Sequence, residues 1–267
     1  WSGRRLSGRN WIGNSDGSVE DSQPAPLADG SRTAYDELGQ LSGALVYSLR
    51  LPAHGEREID LAAPIERVVA PAHLGADATA WVRGEREAVA KAWRDRLDRV
   101  KLTVPPQAQS IADALRTAHA HMLMSRDEAA LRPGTRSYAR SWIRDGAMIA
   151  DALLRLGDSD AVRDYVDWYA PHQFANGKVP CCVDHRGSDP VPENDSHGEL
   201  IHAIAQLYRY TNDRAELEKN WPHIEAAIGY MDTLRASQSG STGSGAVDPA
   251  FRGMMPASIS HEGYSAQ

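Results

Sequence analysis

Through most of the chain, apolar residues recur every three to four positions, and this spacing predicts a succession of α-helices. The first predicted helix, Glu85–Val100, is charged and rich in alanine, and we interpret residues 84–105 as a linker helix with Trp93 packed against a core. Residues 107–235 are predicted to be helical, without strand pairs. Three stripes within them predict buried helix faces: Ile111, Leu115, Ala118 and Met122; Val162, Tyr165, Val166 and Tyr169; Leu217, Trp221, Ile224, Ile228 and Met231.

Two further segments, Trp142–Leu156 and Gly198–Tyr210, are apolar on more than one face, as is typical of helices that other helices surround. Gly157 predicts the end of the first of them. Asn220 is predicted to cap another helix, because the first turn of a helix tolerates a residue such as Pro222. The pattern therefore predicts inner and outer helices joined by polar loops.

Residues 1–83 have a different pattern, with short alternating or apolar runs between glycines and prolines. The runs Gly43–Leu51 and Glu56–Leu61 flank the turn-forming sequence PAHG, which predicts a β-hairpin. Because an isolated hairpin is only marginally stable in water, we interpret this region as the end of a larger sheet domain. The sequence thus predicts a mainly α chain that a smaller β region precedes.

Composition narrows the classes of partner. The 267 residues include 29 Lys and Arg and 36 Asp and Glu, a net charge of −7, which disfavours nucleic acid because its binding proteins present positive surfaces. No run approaches the roughly 18–20 apolar residues of a membrane-spanning helix, so we predict no membrane partner. The first residue is Trp1, which neither shows nor excludes a removed signal peptide. The compartment stays open, with a periplasmic or secreted location favoured over the cytoplasm.

The two cysteines, Cys181 and Cys182, are adjacent. Their Cα atoms are about 3.8 Å apart across a trans peptide, which is shorter than the roughly 4.4–6.8 Å usual in a disulfide. We therefore predict two reduced, structural thiols that point to opposite sides of an extended segment. A metal ion held by both is disfavoured because the chain has no second cysteine pair, and we predict no metal and no cofactor.

The segment RSYARSWIRDG, residues 136–146, places Trp142, Arg144 and Asp145 at the start of an apolar helix. In a structural interpretation, Asp145 favours the helix dipole and pairs with Arg144. In a functional one, the indole ring stacks on a polyhydroxylated ligand and the charged groups supply directed hydrogen bonds. We predict that all three bind substrate.

A second segment, residues 178–199, is a loop dense in carboxylates. Glu199 is predicted to form a capping box with Ser196 as the N-cap, whereas Glu193 and Asp195 have no such structural duty. A loop carboxyl group near an apolar wall and other carboxylates has a raised pKa, which a general acid requires at neutral pH. We predict that Glu193 or Asp195 is catalytic, and that Glu193 faces the same surface as the Trp142 motif.

Three stretches of the sequence resemble the six-hairpin (α/α)6-barrel glycoside hydrolases related to glucoamylase. RSWIRDG resembles the W-x-R-D motif of that family, PENDSHGELIHAIAQLYRY looks like its acid-bearing loop and next inner helix, and SISHEGYSA is similar to a loop before a later hairpin. The resemblance implies the C-terminal part of a β-sandwich in residues 1–83, a linker helix in 84–105 and the N-terminal part of an (α/α)6 toroid in 106–267.

The resemblance also implies roles for individual residues. Arg144 and Asp145 match the pair that binds the sugar in the −1 subsite, and His261 and Glu262 fall in the third motif as further substrate-binding candidates. Glu193 best matches the general acid. It is flanked by proline and asparagine where the family has tryptophan and a second glutamate, so Asp195 is its rival.

The implied activity is hydrolysis of a glycosidic bond in an oligo- or polysaccharide by an inverting mechanism. An acid protonates the leaving oxygen, and a second carboxylate, about 6.5–9.5 Å away, activates water. The resemblance places that base on a late hairpin, so we expect residues 1–267 to be an incomplete catalytic domain whose partner is the same polypeptide beyond Gln267. The alternatives are a toroid-fold phosphorylase, a polysaccharide lyase and a non-catalytic carbohydrate-binding protein.

Overall fold

A computed structural model describes residues 9–14, 41–46, 50–57, 59, 78–135, 138–238 and 249–259. Within these ranges the chain is mainly α, as predicted, with six α-helices and five short strands. The chain divides into two compact units, Trp1–Arg83 and Gly84–Gln267. None of the described helices combines the length and the apolar character that crossing a bilayer requires.

In the first unit, strands β1 (Arg9–Asn14) and β2 (Leu41–Val46) pair in antiparallel fashion, with Arg9 opposite Val46 and Asn14 opposite Leu41. The predicted turn forms, since the Gly55 amide donates to the Pro52 carbonyl at 2.9 Å. The predicted hairpin is nevertheless wrong, because the described residues of its second run, Glu56, Arg57 and Ile59, are not in a strand. The first run does contain part of a strand, β2, but this strand pairs with β1, which precedes it in the chain.

Helix α1 (Ala78–Leu97) confirms the predicted Glu85–Val100 helix, with an earlier start. Trp93 and Leu97 are partly buried and pack against the core of the second unit. After α1, a 3-10 turn at Pro106–Ala108 leads into helix α2 (Gln109–Met124).

The predicted buried stripe of α2 is wrong for three of its four members, and only Met122 is partly buried against the core. Ile111 is 71% exposed, Leu115 and Ala118 are also exposed, and the buried residues of this helix are His119 and Leu123. The reason is a buried hydrogen bond, because His119 faces the carboxylate of Asp158. The apolar spacing identified the more hydrophobic face of α2. The buried face is instead the one that carries His119, because this side chain contacts Asp158.

Four helices form the core: α3 (Ile143–Arg155), α4 (Ser159–Tyr169), α5 (Ser196–Thr211) and α6 (Arg214–Ser237). Helix α5 packs against the other three, and α3 also packs against α4. The α4 stripe is confirmed as core, since all four of its members are fully buried. Each such side chain contributes about 1.5–3 kcal/mol through burial. Helix α3 ends at Arg155, and Gly157, the predicted end of this helix, lies two residues beyond it with a φ of +80°.

Helix α6 differs from its predicted form because it begins eight residues before Pro222 and continues through it. Its N-cap is Asp213, whose carboxylate accepts from the Glu216 amide at 3.1 Å. Asn220 is therefore not a cap; its buried side-chain amide donates to the Glu216 carbonyl at 3.0 Å. In the predicted stripe of α6, Ile224 is buried, Leu217 and Met231 are partly buried, and Trp221 and Ile228 are exposed.

A small antiparallel sheet interrupts the helices, contrary to the predicted absence of strand pairs. It consists of β3 (Ser141–Trp142), β4 (Cys182–Asp184) and β5 (Gly187–Ser188), in the order β3-β4-β5. Strands of two or three residues are too short for an alternating pattern to show in the sequence. The sheet matters for function because it sets the position at which α3 begins.

Candidate functional site

The start of α3 is fixed by backbone pairing. Trp142 has an extended backbone and pairs with Cys182 across β3 and β4, and the Ile143 amide donates to the Cys181 carbonyl at 3.0 Å. Asp145 follows in the first turn, where a carboxylate complements the helix dipole. Arg144 is thereby held on a rigid element, with its guanidinium directed at the loop before α5.

Arg144 binds both predicted catalytic carboxylates. Its Nε donates to Asp195 Oδ2 at 2.6 Å, and its Nη2 donates to Glu193 Oε2 at 3.2 Å. Asp195 is the N-cap residue of α5 and Arg144 is the second residue of α3, so the N-termini of these two helices meet at one end of the bundle. This confirms the prediction that Arg144 and Glu193 lie on the same side of the helical layer.

The two carboxylates differ in accessibility. Glu193 is 2% exposed, whereas the side chain of Asp195 is 42% exposed and that of Arg144 is 28% exposed. A buried carboxylate requires compensating hydrogen bonds or charges, and Arg144 supplies one of them to Glu193. Asp195 is therefore the one of the pair that an incoming ligand can touch.

Glu199 belongs to the same cluster, although the sequence assigned it a capping duty. The predicted capping box is wrong, because Ser196 is already the first helical residue and Glu199 lies one turn beyond the N-cap Asp195. Burial raises the pKa of Glu199, and the Asp195 charge adds to the rise against the opposing effects of His202 and Arg144. The spacing of four residues from Asp195, which places both carboxylates on one helix face, was the signal that could have identified it.

Aromatic side chains lie beside the start of α3. Trp142 is partly buried, and the exposed Tyr138 ring lies 6.4 Å from it, centroid to centroid, at a 53° tilt. The Arg140 guanidinium carbon is 5.7 Å from the centre of the Trp142 ring. The predicted stacking residue thus belongs to a cluster of two rings and a cation.

Asp145 has a different environment from Arg144. It lines a cavity of about 280 Å³ between α2 and α3, together with His121, Met122, Ser125, Arg132, Pro133, Met148 and Ile149. The lining mixes polar groups with methionine and isoleucine side chains. Arg144 therefore contacts the carboxylates of Glu193 and Asp195, whereas the next residue, Asp145, lines this cavity.

The predicted residues His261 and Glu262 lie outside the described residues, and their assignment stays a prediction. The segment before them runs along the acidic loop: the Ile259 amide donates to the Pro192 carbonyl at 3.0 Å, and Asn194 Nδ2 donates to the Pro256 carbonyl at 3.0 Å. The described part of the third motif is thus placed next to the second.

His197, one helical turn from His202, has a structural role in α5. It is fully buried, its Nδ1 accepts from the Val179 amide at 3.2 Å, and its ring meets Tyr230 edge-on at 4.9 Å. Burial lowers its pKa to about 4, and the Lys178 charge acts in the same direction. The neutral imidazole therefore serves as a hydrogen-bond acceptor that connects α5 to the preceding loop.

Cys181 and Cys182 are free thiols, as predicted, and both are buried. The prediction that they point to opposite sides is wrong, because their Sγ atoms are 3.4 Å apart. A hydrogen bond with Cys181 and burial raise the pKa of the Cys182 thiol. Asp189 adds a carboxylate oxygen 3.9 Å from Cys182 Sγ, and these three side chains form a potential set of metal ligands that the sequence did not predict.

Comparison of the chain with protein-family models, curated proteins and solved structures found no match. The resemblance to six-hairpin glycoside hydrolases accordingly stays a prediction from the three sequence motifs.

Proposed function

We propose that this chain carries the general acid of a glycoside hydrolase that cleaves an oligo- or polysaccharide by an inverting mechanism. The observation that carries the proposal is the double contact of Arg144, which binds Glu193 and Asp195 at the start of α5. Guanidinium and carboxylate groups give directed hydrogen bonds to sugar hydroxyls, and the Trp142 and Tyr138 rings beside them suit stacking on a sugar face.

The two carboxylates divide the work in this proposal. Glu193 is buried and acts as a positioning residue that holds the Arg144 guanidinium. Asp195 is exposed and is assigned the proton transfer to the leaving oxygen, because it is the one of the two carboxylates that a bound sugar can reach. Glu199, one turn further along α5, is a second group whose environment favours a proton.

The remainder of the proposal rests on the sequence resemblance. The mainly α unit belongs to an (α/α)6 toroid, the region before it to a β-sandwich, and the catalytic base to a late hairpin of that toroid. A non-catalytic carbohydrate-binding protein is the second candidate, since two neighbouring aromatic rings and an ion-paired carboxylate cluster also suit sugar binding without turnover.

The test compares Asp195→Asn, Glu193→Gln and Glu199→Gln in the polypeptide extended beyond Gln267. Aryl glycosides with good and poor leaving groups serve as substrates. General acid catalysis contributes about 10²–10⁴-fold, so Asp195→Asn is expected to lower kcat by that amount on a poor leaving group and much less on a good one. Glu193→Gln is expected to change kcat and KM without that leaving-group dependence. The control is Glu218→Gln, an exposed α6 carboxylate that pairs with Arg214.

The same assay separates the alternatives. A leaving-group effect in Glu193→Gln or Glu199→Gln, with Asp195→Asn fully active, would transfer the acid role to that residue. Sugar binding without turnover in every form would favour the binding protein. A requirement for inorganic phosphate, or release of an unsaturated sugar, would replace hydrolase with phosphorylase or lyase.

A further inference from the structure

The pair of buried thiols at the start of β4, Cys181 just before the strand and Cys182 at its first position, has a third candidate ligand directly after β5. Cys181 Sγ and Cys182 Sγ are 3.4 Å apart, and Asp189 Oδ2 is 3.9 Å from Cys182 Sγ. The three ligand atoms all lie within 4.8 Å of one another. This cluster is separate from the carboxylates that Arg144 binds, and the proposed glycosidase chemistry does not use it.

These separations are close to those around a tetrahedral zinc ion. With Zn–S bonds of about 2.3 Å and a Zn–O bond of about 2.0 Å, two thiolates lie about 3.8 Å apart, and a thiolate and a carboxylate oxygen about 3.5 Å apart. The observed 3.4 and 3.9 Å differ from these values by about 0.4 Å in each case, and the third pair, Cys181 Sγ and an Asp189 carboxylate oxygen, lies within 4.8 Å. Side-chain rotations are therefore needed to bring the three ligands to one ion.

The carboxylate of the cluster is already held in position. The Asp189 amide donates to the Cys182 carbonyl at 2.9 Å, and its Oδ1 accepts from the Val191 amide at 3.0 Å. Its Oδ2 accepts from Arg140 Nη2 at 2.7 Å, so hydrogen bonds hold both oxygens of the carboxylate. Hydrogen bonds of this kind, made by groups outside the ligand shell, orient metal ligands and raise affinity.

The charges also balance. Arg140 pairs with Asp184 as well as Asp189, and Arg186 pairs with Asp184. Two thiolates and these two carboxylates carry four negative charges, while a divalent ion and the two guanidinium groups carry four positive charges. A buried cluster of net charge near zero avoids the cost of leaving an unpaired charge away from water. The ion would replace the two thiol protons of the metal-free state.

We propose that Cys181, Cys182 and Asp189 form a zinc site whose fourth position is taken by water. On binding, two S–H bonds break, both protons leave to solvent, and two Zn–S bonds and one Zn–O bond form. The site lies at the base of the candidate functional site, because Cys182 pairs with Trp142 and the Cys181 carbonyl accepts from the first amide of α3. Occupancy ties β4 to the loop after β5 and stabilises the start of α3.

Cobalt and zinc titrations of the reduced, metal-free chain test this site. We expect Co²⁺ to bind with a stoichiometry of one, to give thiolate-to-cobalt charge-transfer absorption and the intense visible bands of tetrahedral cobalt, and to be displaced by Zn²⁺. Cys181→Ser and Cys182→Ser are each expected to lose most of the charge-transfer absorption, and the double variant all of it. The control Asp160→Asn removes an exposed α4 carboxylate and is expected to bind as the parent chain does.

Asp189→Asn keeps both thiols and gives a second variant if the serine variants do not fold. It is expected to raise the Kd for Zn²⁺ at least 10-fold, since the loss of even an outer hydrogen-bonding group costs about 10–100-fold. Zinc is also expected to raise the Tm of the parent chain, because a ligand that binds only the folded state stabilises it. Absence of charge-transfer absorption in the parent chain, an unchanged Kd in Asp189→Asn, or full zinc binding by the double serine variant would each overturn the site.

Discussion

Arg144 and Asp195 are 51 positions apart in the sequence, and the Nε of the first donates to Oδ2 of the second at 2.6 Å. The contact joins the first turn of α3 to the N-cap of α5. Both helix N-termini present amide groups at this end of the bundle, and their partial positive charge favours the carboxylates that gather there. The chemistry of the candidate site thus follows from the way in which two inner helices begin.

Removal of the Arg144 charge is expected to reduce stability as well as ligand binding. Arg144→Met removes an ion-pair partner from the buried Glu193, and the free energy of unfolding in urea is expected to fall by about 1–3 kcal/mol. The double variant Arg144→Met/Glu193→Gln removes the buried charge too, and is expected to recover part of that loss. A double variant no more stable than Arg144→Met would show that the pair is not coupled.

Asp158, the N-cap residue of α4, connects this helix to α1 and α2. We expect the stability of the chain to be highly sensitive to its substitution. It is fully buried and accepts from Arg96 Nε at 2.7 Å, from Arg99 Nη1 at 2.9 Å and from His119 Nε2. Asp158→Asn keeps the shape but removes the charge that these donors face, at an expected cost of about 3–5 kcal/mol in unfolding free energy. Urea denaturation measures it.

Asp160→Asn is the matched control for Asp158, because Asp160 is exposed and pairs with a near neighbour on α4, Arg163, at 3.3 Å. Its expected effect is below about 1 kcal/mol. Equal effects of the two substitutions would contradict the stabilising role that we assign to the buried carboxylate of Asp158.

His197 is expected to make stability fall in acid. Its folded pKa of about 4 lies below the ordinary value of 6.5, so between these two values the unfolded chain binds a proton that the folded chain does not. Stability that is present above pH 6.5 is therefore lost as the pH falls towards 4, by about 3 kcal/mol. Unfolding free energy measured across this window in the parent chain and in His197→Gln gives the difference.

His185→Gln is the control for this pH dependence, since His185 is an exposed loop residue. It is expected to keep the parent slope, while His197→Gln shows a shallower one. Parallel curves for the parent chain and His197→Gln would contradict the assignment.

Gly146 is required by close packing between α3 and α4. A Cβ at this position would lie 1.9 Å from the Tyr165 hydroxyl oxygen, in a fully buried part of the core. Gly146→Ala is expected to lower the free energy of unfolding by about 1–3 kcal/mol. The control is Gly229→Ala in α6, where a Cβ meets nothing within 4 Å and the helix is expected to gain about 0.5–1 kcal/mol. A neutral Gly146→Ala would contradict the close contact.

Local periodicity along the chain was sufficient to predict several helices and one buried helix face. The charged helix after residue 84, the buried stripe Val162–Tyr169 and the helical segment after Trp142 are all present, because a 3.6-residue repeat of apolar side chains is a property of neighbouring residues. The sequence also selected Arg144 and Asp195, because a guanidinium and carboxylates at the starts of apolar helices were visible without any knowledge of packing.

The contacts between side chains from distant segments could not be predicted from the sequence, and they are seen only in the folded chain. Helix α2 turns His119 inward instead of the apolar Ile111, because a buried carboxylate from another turn of the chain lies opposite. The two thiols come together on one side of β4, and Glu199 lies beside Asp195 with a raised pKa instead of capping its helix. Each outcome depends on desolvation and charge contributed by distant segments, and these quantities exist only once the chain has brought those segments into contact.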